Sequence, residues 1–139
     1  MFWSSKEFLQ ICEELATLGF KPELNAGGRI ARGFADLGFE EYLYLPPNKL
    51  ISLFTGDKSI LPEEHRDFFF VVPTVDEMVN AILEYNARVL SIEHVEQRVW
   101  SVLGLINQEP YTEIDRDLKV AMAKFLRALL SLESPNVGT

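Results

Sequence analysis

One cysteine, no tract of basic residues and no long apolar run set the first limits on this 139-residue chain. A single thiol, Cys12, can form no internal disulfide and cannot furnish a cysteine-rich zinc site. The longest unbroken apolar run, Phe68 to Pro73, falls far short of the roughly 20 residues that cross a bilayer. The opening residues, Met1-Phe2-Trp3-Ser4-Ser5-Lys6, have neither a basic lead nor an apolar core, so no secretory signal is read there. These absences make a cytoplasmic protein without a membrane part the expectation. Basic residues are also scarce: 13 Lys and Arg stand against 21 Asp and Glu, a net charge of −8 shared evenly between the two halves. Nothing clusters to neutralise phosphates, so nucleic-acid binding is not expected. An acidic surface suits a basic protein partner.

The signatures of common chemistries are missing too. There is no G-x-S-x-G elbow, no P-loop and no G-x-G-x-x-G run. His94 lies in Glu93-His94-Val95-Glu96, a fragment of the zinc-deaminase pattern, but the paired cysteines which that chemistry needs are lacking. His65, within Glu63-Glu64-His65-Arg66-Asp67, has carboxylates beside it but no second cluster at ligand spacing, and Arg66 opposes a cation. No catalytic residue, metal or cofactor is therefore assigned.

What the chain does contain is a globular composition, 47% hydrophobic with 10 Phe. Its length suits one domain, expected over residues 1–133 with a flexible tail over 134–139. Ser5 to Leu18 has the winding of an amphipathic helix, with Phe8, Ile11, Cys12, Leu15 and Leu18 on one face. Ser4 and Glu7 fit a capping box, Trp3 and Phe8 a hydrophobic staple, and Gly19 the C′ position. Phe39 to Leu45 and Leu50 to Phe54 read as strands around a turn at Pro46-Pro47-Asn48-Lys49. Asp67 to Val72, apolar on both strand faces, reads as a central strand. Gly28 to Phe34 fits either a strand or a short helical turn, with the strand preferred.

Three helices are expected in the C-terminal half. Thr74 and Glu77 frame the first, with a stripe of Val75, Met78, Val79, Ile82 and Tyr85. Ser91 caps the second, whose stripe is Ile92, Val95, Val99, Val102, Leu103 and Ile106. Thr112 caps the third, which continues to about Leu132. The expected fold class is thus α+β: an N-terminal helix, a central antiparallel or mixed sheet of three to four strands, and three C-terminal helices packed on it.

Two candidate sites emerge. Gly27 and Gly28 could let backbone amides approach an anion that Arg29 and Arg32 would clamp, although the same residues also suit an edge strand. In the last helix, Leu126 and Leu130 widen the apolar arc to about 200° of the helical wheel. Either that helix is enclosed within the domain, or Met122, Leu126 and Leu130, together with Trp100, meet another chain. The functional expectation is a non-enzymatic protein-binding or accessory module with a protein partner or a second copy of itself as a homodimer. The alternatives are an immunity-type inhibitor of a basic toxin, and a small anionic-ligand-binding domain or enzyme using Arg29 and Arg32.

Overall fold

Helix α1, Lys6–Thr17, opens the structure, a computed structural model that describes residues 4–34, 38–84, 90–95 and 98–132. Its cap is Ser5, one residue later than expected, with the Ser5 hydroxyl accepting the Phe8 N–H at 3.2 Å. Ser4 turns instead to the neighbouring sheet. The proposed staple at Trp3 lies outside the described residues. At the other end, Gly19 (φ 101°) permits a Schellman closure: its N–H donates to Ala16 and that of Phe20 to Leu15. Phe8, Leu9, Ile11, Cys12 and Leu15 are buried, so the single thiol is a core group.

The chain divides into two compact units, Met1–Pro73 and Thr74–Thr139. In the first, β1 (Arg29–Phe34), β2 (Gly38–Leu45), β3 (Lys49–Ser52), β4 (Lys58–Ile60) and β5 (Phe70–Val72) form one antiparallel sheet in the order β4-β3-β2-β1-β5. The strand reading of residues 28–34 and the turn after Leu45 both match this arrangement. The central-strand expectation for 67–72 does not. Residues Glu63–Phe68 form a 3₁₀ turn in which Phe68 is exposed, and only Phe70–Val72 pair, on the sheet's edge against β1. Apolarity on both faces of β5 has another cause. Phe70 and Val72 are buried on the face that carries Ala31, while Val71 packs on a cluster of Ile30, Tyr44, Leu50 and Leu61 on the opposite face.

The second unit starts with α2, Val75–Glu84, whose capping box forms as expected: the Glu77 N–H donates to the Thr74 hydroxyl at 3.2 Å and the Thr74 N–H to Glu77 Oε1 at 2.8 Å. Met78 and Ile82 are buried from its stripe; Tyr85 lies outside the described residues. Beyond α2 the structure departs from the helical expectation. In place of a helix over 91–106 stand β6 (Leu90–Val95) and β7 (Val99–Ile106), joined by β8 (Glu109–Asp115) in a second antiparallel sheet, β6-β7-β8. Among the described residues two helices, not three, follow the first sheet, and the strands number eight in two sheets where three to four in one were expected.

The last helix, α3 (Leu118–Leu132), starts six residues after Thr112, which belongs to β8. The Asp117 carboxylate accepts the Lys119 N–H at 2.9 Å at the start of the helix, and Asp115 accepts the Asp117 N–H at 2.9 Å. α3 packs on α2, β7 and β8. No helix among the described residues is long and apolar enough to cross a membrane. The tail expected over 134–139 lies outside the described residues.

Asp115 gives this junction a pH dependence. Partial burial pushes its carboxyl up, but the N–H groups of Asp117 and Arg116 and the Lys124 ammonium, 3.0 Å away, outweigh that and hold it below its ordinary value of 3.8. The folded state thus favours the charged form. Its contribution is complete above the ordinary Asp range and is lost as the pH falls through the lower folded value. Asp115→Asn is therefore expected to flatten the acid side of the stability profile. Urea midpoints at ~pH 5 and ~pH 2 should lie closer together in the variant than in the parent.

Candidate functional site

The glycine–arginine segment does not converge on an anion. The Gly27 N–H donates to Tyr44 and the Gly28 N–H to Asn25, both at 2.8 Å, so both amides are occupied within the backbone. A Cβ on Gly28 would stand 2.9 Å from the Asn25 carbonyl oxygen, which accounts for that glycine by close backbone approach. Arg29 and Arg32 are three positions apart on β1 and so lie on opposite faces of the sheet. Arg29 faces Glu41, with Nη1 3.6 Å from Oε2. The Arg32 guanidinium lies 4.4 Å from the Phe34 ring centre and 5.5 Å from that of Phe69. Its Nε is buried and makes no hydrogen bond among the described residues. Glu40 is the cross-strand partner of Arg32 and accepts the Tyr42 hydroxyl. Burial, then that hydrogen bond, raises Tyr42 well above the ordinary phenol value.

The candidate interface residues separate as well. Met122 and Leu126 are fully buried, so this part of the apolar arc of α3 is enclosed within the chain. Leu130 is half-buried. Trp100, on β7, stacks on its cross-strand partner His94 with ring centres 4.7 Å apart. His65 sits in the 3₁₀ turn against Phe68. No group of three or more His, Cys, Asp or Glu among the described residues could hold a metal ion.

One set of side chains that converges on open surface was not singled out from the sequence. It lies on β3 and β4, where Lys49-Leu50-Ile51 and Lys58-Ser59-Ile60 repeat a Lys-x-Ile pattern. Because these strands are antiparallel, Lys49 stands opposite Ile60 and Ile51 opposite Lys58. Directly opposed residues share a face, so two lysines and two isoleucines form a checkerboard at one end of the sheet. Leu45, across from Lys49 on β2, extends its apolar part. Together with Leu50 and Ser59 these residues line an open groove of about 360 Å³. Ile60 is 74% exposed, the highest exposure of any large apolar side chain among the described residues. Lys49 and Lys58 form no ion pair among the described residues.

The backbone at this edge is also open. The Leu61 N–H donates to Asn48 at 2.7 Å and the Ser52 N–H to Asp57 at 2.9 Å, bracketing the β3–β4 ladder. In antiparallel geometry this makes Leu50–Ser59 the hydrogen-bonded pair and directs the N–H and C=O groups of Lys58 and Ile60 away from β3. All three β4 residues are exposed. The outer strands of the second sheet are more acidic: β6 carries Glu93, and β8 carries Glu109, Glu113 and Asp115 together with Pro110, which has no N–H to give a ladder. No protein-family model matches the chain, and no curated protein or solved structure matches it.

Proposed function

We propose that this chain is a non-enzymatic protein-binding module, acting inside the cell, whose binding element is the β4 edge. The observation that carries the reading is the pairing of the exposed Ile60 side chain with backbone groups on the same strand that have no partner among the described residues. An edge that offers both hydrogen bonds and an apolar anchor is what an added strand uses: the main chain supplies affinity and alternate side chains supply selectivity. The enclosure of Met122 and Leu126 in the core moves the proposed contact from α3 to the sheet.

Photo-crosslinking in the native host tests this. A benzophenone-bearing residue in place of Ile60 is expected to yield a discrete protein adduct, whereas the same residue in place of Asp76, exposed on α2, is not. Equal yields at the two positions would remove the assignment.

A further inference from the structure

We infer that the occupant of the β4 edge is an extended segment added antiparallel, carrying an apolar residue opposite Ile60 and an Asp or Glu two positions later, opposite Lys58. The inference rests on the reading of β4 as the binding edge and adds the partner's chemistry and register.

The register follows from the ladder. The outward N–H and C=O groups belong to Lys58 and Ile60, while those of Ser59 face Leu50. An added antiparallel strand therefore forms its hydrogen-bonded pairs with Lys58 and Ile60, and the residues opposite these two share the face of the checkerboard. Running against β4, that strand meets Ile60 first and Lys58 two residues later. Its own side chains alternate, so the residue between them points to the other face.

The chemistry follows from what waits on that face. Ile60 and Ile51 present apolar surface, and an apolar side chain opposite Ile60 covers it. Lys58 and Lys49 present two ammonium groups without a carboxylate among the described residues. Lysine on an edge guards it against unselective pairing, whereas a carboxylate directly opposite converts the same charge into attraction. The chain's net charge of −8 does not reverse this. Exposed charges farther away than about 8 Å are largely screened at physiological ionic strength, so the lysines act locally whatever the overall balance.

Selection from a random peptide library displayed on phage, with the full chain as bait, tests the inference. The enriched sequences are expected to share an apolar-x-acid triplet. A synthetic peptide of the enriched sequence should slow hydrogen exchange at the Lys58 and Ile60 amides, and Lys58→Glu should weaken it about fivefold, the scale of exchanging an opposite-charge for a like-charge cross-strand pair. The Lys58→Glu chain, used as bait, should in turn enrich apolar-x-Lys or apolar-x-Arg. Peptides that protect the Lys58 and Ile60 amides but carry no acid and ignore Lys58→Glu would overturn the partner chemistry and leave the binding edge standing. Binders that leave those amides unprotected and are indifferent to Ile60→Lys, or no binder at all, would overturn both. Protection of the same two amides that grows with protein concentration in the absence of peptide would assign the edge to a second copy and overturn the inference as well.

Discussion

Phe125→Ala is expected to lower the unfolding free energy by about 3–5 kcal/mol, a large part of the roughly 5–15 kcal/mol that holds a domain folded. Phe125 has no exposed surface, lies on the α3 face that meets the second sheet, and contacts Tyr111 of β8 edge-to-face with ring centres 5.8 Å apart. Truncation removes the ring's burial and leaves a cavity between helix and sheet that rigid neighbours cannot close. Phe125→Leu, which retains most of the volume, should cost under about 1.5 kcal/mol. Urea unfolding supplies both numbers. A parallel measurement separates a core role for α3 from an interface role. Leu126→Ala should cost about 2–5 kcal/mol without changing the mass in solution, because Leu126 is buried within the chain. Little loss of stability together with a change of mass would restore the interface reading of the helix.

The helix capping was legible in the sequence because capping is local chemistry. Thr74 and Glu77 satisfy each other's amides within a single turn, and Gly19 closes α1 through bonds to Ala16 and Leu15. Even there, Ser4 and Ser5 are equivalent as sequence, and the cap falls on Ser5 because Ser4 has a partner 37 residues away. Residues 91–106 show the opposite case. Ile92, Val95, Val99 and Val102 fit the helical period, yet Ile92 and Val102 also fall opposite each other on paired strands. Both periods match, and the density of β-branched residues, which favours the pleated surface, decides for strands. Asn107 and Gln108 adopt left-handed conformations (φ 52° and 68°) in the turn between β7 and β8, a role that Asn hints at and Gln does not. With the turn in place, Pro110 becomes a residue of an outer strand and no longer a helix breaker.

The candidate site was half legible. The Lys-x-Ile repeat at residues 49–51 and 58–60 is visible in the sequence, but its meaning depends on register. Only the antiparallel pairing of Lys49 with Ile60 and of Ile51 with Lys58 turns two unremarkable triplets into a single patterned face. In the same way, Arg29 and Arg32 look like a clamp when counted along the chain and separate to opposite faces once β1 is a strand. Spacing reports a face only when the local period is known.

Glu41 was invisible for a related reason, and its replacement is the second large effect. Nothing in the sequence marks either carboxylate of Glu40-Glu41 as buried, yet Glu41 is 3% exposed. Its carboxylate accepts the Ser4 N–H at 2.6 Å and the Ser4 hydroxyl at 3.0 Å, and stands 3.6 Å from Arg29. It thereby ties the segment entering α1 to the middle of β2. Glu41→Ala leaves the buried Ser4 donors without an acceptor, at about 1–3 kcal/mol for each buried group left unpaired. The Arg29 contribution is smaller, because that side chain is 41% exposed and water screens it. The expected loss is about 3 kcal/mol. Glu41→Gln retains the length and one carbonyl oxygen for the Ser4 N–H, while the Ser4 hydroxyl can rotate to accept from the new amide, so its cost should be nearer 1 kcal/mol. Urea unfolding of both variants beside Arg29→Ala weighs the two partners against each other. A small effect of Arg29→Ala assigns the loss to the Ser4 tether. An effect as large as that of Glu41→Ala would instead make the ion pair the main contact and sink the tether.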